Sequence, residues 1–291
     1  MDKSCEAAMI KTPKAPANMA QIKSIILKTL VYAAAVLTFG MLIYIIVYIV
    51  LNGIPYIRPS LFAWKYTSVN ASLTPALMNT LTMTAATLVI AVPFGIGSAI
   101  YLVEYAKRGS KYVKIVRMTT ETLAGIPSIV YGLFGQLFFV VYLSMDLSLI
   151  SGACTLAIMI LPVIMRTTEE ALKSVPDTYR EASFGLGAGK VRTIFKVILP
   201  AAAPGILSGI ILSIGRIVGE TAALLYTAGS MTKIAGLGNS GRTLSTHMYI
   251  LSSEAMHTGE AYGTALVLLI LVIGINALAS LILKTVGKGN K

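Results

Sequence analysis

The chain has 291 residues, of which 56% are hydrophobic and 12% charged, and its net charge is +12. A soluble domain carries roughly 25% charged residues, so composition excludes an ordinary soluble enzyme, and the positions of the basic residues must decide what they bind. The apolar residues run in long blocks without ten-residue alternation, which argues against a β-barrel.

A helix needs roughly 20 mostly apolar residues to cross a hydrocarbon core about 30 Å thick. Six blocks meet that length: Thr29 to Leu51, Thr80 to Val103, Thr122 to Ser144, Leu147 to Met165, Ala201 to Tyr226 and Gly263 to Leu283. Lipid forces backbone polar groups to bond within the segment. The expected fold class is therefore all-α, a polytopic membrane protein with six transmembrane helices.

In chain order, residues 1–24 read as a polar tail with Pro13 and Pro16, and the first block, too long for a signal-peptide core and with no small-residue cleavage site clearly behind it, is expected to stay as a helix. The loop after the first block carries Trp64 and Tyr66, which suit the headgroup layer. Lys3, Lys11, Lys14, Lys23 and Lys28 precede the first block. Lys107, Arg108, Lys111, Lys114 and Arg117 follow the second. Arg166, Lys173, Arg180, Lys190, Arg192 and Lys196 follow the fourth, and Lys284, Lys288 and Lys291 end the chain. Only Arg58, Lys65, Lys233 and Arg242 fall on the other side. The positive-inside rule then puts both termini in the cytoplasm, with the bilayer rather than nucleic acid as the basic residues' partner. Cys5 falls in the tail and Cys154 inside a block, so no disulfide is expected.

The segment 166–200 reads as a long basic loop of short amphipathic helices, broken by Pro176, Gly185, Gly187 and Gly189. Its string GLGAGKV is not a phosphate loop. The glycine spacing is wrong, and Val191 stands where Ser or Thr would hold magnesium. ATP chemistry would have to come from a partner. His247 and His257, near Glu254 and Glu260, lack a metal-ligand spacing and read as solvated loop histidines. No Ser-His-Asp set or carboxylate pair appears, so no catalytic residue and no metal site are expected.

The fifth block holds Arg216 and Glu220, four apart and expected on one helix face. They fit either a packing ion pair or a wet pathway through the membrane. Gly205/Gly209 and Gly215/Gly219 are GxxxG pairs, suited either to packing within the chain or to a second subunit. Arg166, at the end of the fourth block, fits either an interfacial anchor or a cation at the inner end of a pathway.

Glu181-Ala182-Ser183, then Gly187 after three residues, then Val197 and Leu199-Pro200, resembles the EAA loop of permeases in binding-protein-dependent ABC importers. Ser183 and Val197 depart conservatively from that pattern. With the strings LPVIMRTTEEALKSVPDTYREAS and IGRIVGETAALLYTAG, the chain is similar to the phosphate permeases of the PstA type.

The resemblance implies a type I ABC importer permease core over 75–285. Residues 25–74 form a first helix and outer loop, and 286–291 a second tail. It implies a translocation subunit with no cofactor of its own. ATP and Mg would sit on an ATPase dimer that docks on Glu181, Ala182, Ser183, Gly187, Leu199 and Pro200. A sister permease and an external phosphate-binding protein would complete the assembly, and Arg166, Arg216 and Glu220 would line the substrate pathway. Permeases for molybdate or sulfate, and a self-contained secondary transporter, remain the alternatives.

Overall fold

The computed structural model describes residues 17–107, 109–254 and 257–288. Lys3, Cys5, Lys11, Pro13, Lys14, Pro16, Arg108 and Lys291 lie outside them. The chain divides into two compact units, one ending at Leu51 and one beginning at Asn52. The described residues of the first unit all lie in α1 (Ala17–Gly53), an apolar helix that starts before the expected Thr29 and takes in part of the expected tail.

The second unit contains α2 (Thr74–Ile100), α3 (Lys111–Ala124), α4 (Ser128–Gly135) and α5 (Leu149–Ser174). It continues with α6 (Asp177–Gly185), α7 (Lys190–Thr193), α8 (Leu199–Gly219), α9 (Ala222–Thr227), α10 (Leu244–Ser253) and α11 (Thr258–Lys288). Among the described residues there is no strand. Five helical stretches are long and apolar enough to cross a membrane, and the bent pair α3–α4 brings the number to six.

That pair corrects the third expected span. Instead of one helix from Thr122, α3 stops at Ala124, and the chain turns by 100° before Ser128. Pro127 removes a backbone donor and pushes Ile126 out of helical geometry. The amides of Gly125 and Ile126 fold back onto Thr122 and Leu123 carbonyls. The fourth span is also longer than expected. Arg166 to Lys173 are not loop but the last turns of α5, whose start Ser148 caps by accepting from the Ser151 amide at 3.3 Å.

The core is built by α2, α5 and α8. Met83, Ala91, Leu156, Met159, Ile160, Ile164 and Ile217 are fully or nearly fully buried in it. Small residues bring the helices close. A Cβ at Gly95 would collide with Ile164, and one at Gly132 with the Ala223 backbone. Such contacts replace the hydrophobic drive that lipid does not supply between helices. Pro93, Pro162 and Pro204 sit within helices, which membrane helices tolerate when neighbours satisfy the freed carbonyls.

Candidate functional site

The fifth span holds the first correction to the site. α8 ends at Gly219, and Glu220 takes an extended backbone (φ −72°, ψ 128°) ahead of α9. Arg216 and Glu220 therefore do not share a helix face and form no ion pair. Glu220, 9% exposed, turns its Oε1 to accept from the Ala223 amide at 3.1 Å. Its own carbonyl accepts from the Ser245 hydroxyl at 2.6 Å. The carboxylate thus caps the start of α9 and holds the bend. Arg216 is half-buried on α8 and forms no ion pair among the described residues.

The two glycine pairs on α8 do different things. Gly205 and Gly209 are pressed against Ala171 and Thr167 of α5, with no space for a Cβ. Gly215 and Gly219 have nothing within 4 Å of where a Cβ would stand. The first pair packs within the chain. The second leaves an open notch on the stretch of helix that carries Arg216.

Arg166 lies at the basic end of the bundle. Its side chain is 67% exposed and paired with Glu170, Nε to Oε1 at 3.0 Å. Next to it, Glu169 is clasped by Arg117 at 2.6 Å and by Lys173 at 2.5 Å. A cavity of about 170 Å³ opens here between α3 and α5, lined by Arg117, Thr120, Glu121, Met165, Arg166, Glu169, Glu170 and Lys173. The structure brings Arg166 to this cavity and gives it no ion pair with Glu220. The sequence reading missed Arg117 and Glu169. Their signal was present only in part, as the Glu169–Lys173 spacing of four that joins helix neighbours.

The EAA segment forms α6, a turn and α7, and α7 leads through a π turn (Ile194–Ile198) into α8. Glu181 and Ala182 are exposed. Ser183, next in the chain, is largely covered. It is 8% exposed, and its hydroxyl shares a hydrogen bond with Thr193 at 2.8 Å. Gly187 closes α6 in a left-handed conformation, φ +80°. Its amide bonds the Phe184 carbonyl at 2.9 Å, and the Ala188 amide bonds that of Ser183 at 3.1 Å. That double bond pattern terminates helices at a glycine because no Cβ is strained there. A groove beside it is lined by Tyr179, Ala182, Ser183, Leu186, Gly187, Ala188, Arg192 and Val197. Leu199 is half-buried and Pro200 exposed at the start of α8.

The far end of the bundle corrects His247. It is not solvated but fully buried, with Nε2 3.3 Å from the Ala71 carbonyl and its edge toward Tyr66. Arg242 stacks over the same Tyr66 ring at 4.6 Å. Burial, and then the Arg242 charge, hold the His247 pKa down to about 3 against a free value of 6.5. The neutral form is the one the fold keeps. Its stabilisation is complete above pH 6.5 and is lost as pH falls toward 3, because the unfolded chain binds the extra proton. Thermal stability in detergent should therefore fall on acidification from pH 7 to 4. His247→Gln should flatten that slope, each pKa unit being worth about 1.4 kcal/mol. An unchanged slope would remove His247 from the account. His257 lies 3.6 Å from Glu260, and no metal-binding cluster exists among the described residues. Cys154 is a free, half-buried thiol.

The site thus combines a broken fifth span whose Arg216 has no ion pair among the described residues, a bent third span and a helix-turn-helix at the basic end. Residues 91–290 match the family of binding-protein-dependent transport system inner membrane components, and the chain belongs to that family. It is 40% identical over 212 residues to the phosphate transport system permease protein PstA 1 of Mycobacterium tuberculosis, covering 71% of this chain and 69% of the relative. It is 33% identical over 251 residues to the probable ABC transporter permease protein YqgI of Bacillus subtilis, covering 80% and 85%. Inward-facing MetNI methionine ABC transporter superposes with a TM-score of 0.58 at 22% identity, over 73% of this chain and 93% of that chain. At that identity the likeness is one of fold, the type I ABC importer permease. Within the family the chain stands close to the PstA phosphate permeases, as a multi-pass inner-membrane translocation subunit.

Proposed function

We propose that this protein is the permease subunit of an ATP-driven importer of inorganic phosphate, with Arg216 facing the anion in the membrane and Arg166 at the inner end of the path. The observation that carries this is Arg216, a half-buried cation with no ion pair among the described residues, on the stretch of α8 whose Gly215–Gly219 notch is open. A guanidinium offers a planar fork of donors that matches phosphate oxygens. A charge within a span that lacks an ion pair usually faces a bundle interior or a polar pathway. Phosphate, rather than another oxyanion, is supported by the PstA-named relatives.

In this reading a PstC-like sister permease covers the open notch and completes the path. A PstB-like ATPase dimer, which holds ATP and Mg, docks on Glu181, Ala182 and the groove at Gly187. Ser183 supports that helix from inside, and Leu199 and Pro200 carry the motion into α8. A PstS-like phosphate-binding protein delivers the anion from outside. Glu220 fixes the break after α8, and so the height at which Arg216 stands.

The test is co-purification with candidate ATPase subunits, followed by radiolabelled phosphate uptake in vesicles. Uptake of molybdate or sulfate in place of phosphate would reassign the substrate and keep the class. The orientation has its own check. Reporter fusions after Lys107 and after Lys173 should both report cytoplasm, and one near Lys233 the outside. An outside signal at Lys173 would overturn the topology and the docking assignment together.

A further inference from the structure

Arg180 lies on α6, inside the segment that resembles the EAA loop, and the family pattern gives it no role. Its guanidinium is 16% exposed and fully engaged. Nε and Nη2 both donate to Glu104 Oε1, at 3.1 and 2.7 Å. Nη2 also donates to the Leu172 carbonyl at 3.1 Å, and Nη1 to the Val175 carbonyl at 3.0 Å and to Asp177 Oδ1 at 3.1 Å. Leu172 lies in the last turn of α5 and Val175 just past its end, where helix carbonyls lose their internal partners. Glu104 is 10% exposed and sits in the π turn (Tyr101–Tyr105) that ends the second span. One side chain of α6 therefore holds the basic ends of two spans at once. Lys190, at the start of α7, adds a second hold on the same π turn, with its ammonium 4.7 Å from the Tyr105 ring centroid.

We propose that Arg180 is the positioning residue that fastens the docking helix α6 to α2 and α5, so that a displacement of α6 reaches both spans together. The proposal rests on the reading of α6 as the ATPase-docking helix. The geometry favours transmission over mere anchoring for two reasons. The loop between α5 and α6 is only Val175-Pro176, so the chain already ties α6 to α5, and the contact it lacks is the one to α2. Glu104, 76 residues away in the chain, supplies that contact. Moreover, Arg166 and Glu169 lie about two helical turns or less before Leu172, so whatever moves the end of α5 moves the inner cavity. A lysine cannot replace this group. Its ammonium is a point charge, whereas the fork reaches two carboxylates and two carbonyls in fixed directions.

The experiment compares two variants in the assembled complex, reconstituted with the ATPase and the binding protein in proteoliposomes. Arg180→Lys keeps the charge and loses the fork. Arg180→Gln with Glu104→Gln removes both charges, so neither is left buried alone. The readouts are protein in the membrane, ATPase attached, and phosphate taken up per ATP hydrolysed. Both variants should assemble and hydrolyse ATP, with uptake per ATP reduced by about ten-fold through loss of the fork. Unchanged uptake per ATP in either variant overturns the proposal. So does loss of membrane level and attached ATPase in both, which would make the clasp a fold-holding contact only. Gly187→Leu separates the two readings. If that variant keeps ATPase and uptake, the docking reading fails and the proposal with it. If it uncouples while the Arg180 variants do not, the proposal alone fails.

Discussion

Arg216→Gln should leave the protein in the membrane and in its complex while lowering phosphate uptake by about 10- to 100-fold, the loss of one charge-assisted contact worth roughly 1.5–3 kcal/mol. Arg216 forms no ion pair among the described residues, so removing it strands no carboxylate. Glu220 behaves differently because its partner is a backbone amide. Glu220→Gln keeps an oxygen for the Ala223 N–H and should assemble normally. Glu220→Ala leaves that buried amide unmet, at a cost of roughly 1–3 kcal/mol, and should lower the amount of folded protein. Exchanging the two, Arg216→Glu with Glu220→Arg, should restore nothing. It would put a guanidinium in the capping position and a carboxylate on the path proposed for the anion. Membrane level by blotting and labelled phosphate uptake distinguish these outcomes. Full uptake by Arg216→Gln at normal expression would sink the pathway role.

Gly187→Leu should give the second large effect, a complex without attached ATPase and with uptake reduced at least about ten-fold. Two causes combine at this position. A side chain at φ +80° strains the turn by roughly 1–2 kcal/mol, which loosens the end of α6. It also fills the groove where a partner would sit. Gly187→Asn separates them, since Asn accepts the left-handed conformation and is smaller. If Asn restores most of the uptake, the backbone decides. If Asn is as damaging as Leu, side-chain volume at the docking face decides. Normal uptake by Gly187→Leu would contradict the coupling role.

Most of the fold was legible because lipid makes apolar length a direct measure of a span. The second, fourth and sixth spans lie where the blocks placed them, with extra turns at their ends. The third was not legible in detail, because an apolar count runs straight through Gly125-Ile126-Pro127, where the chain bends. The Arg216–Glu220 spacing misled for a related reason. Four residues share a face only while the helix continues, and α8 stops at Gly219. The spacing Glu181-Ala182-Ser183 to Pro200 was readable because it is local. The clasp from Arg180 to Glu104 was not, since nothing in a linear chain marks residues 76 apart as neighbours. His247 read as polar and therefore wet, yet Tyr66 and the Ala71 backbone from another loop bury it.

The open notch at Gly215 and Gly219 also bears on how the subunit is produced. Made alone, the chain would hold Arg216 against hydrocarbon, at a cost of at least about 2.5 kcal/mol on insertion scales. If the proposed sister subunit covers the notch, it relieves that cost, and surplus copies would be the least stable ones in the membrane. Subunit stoichiometry would then be set by survival rather than by synthesis. The level of this chain should follow that of its neighbour even when both are transcribed independently.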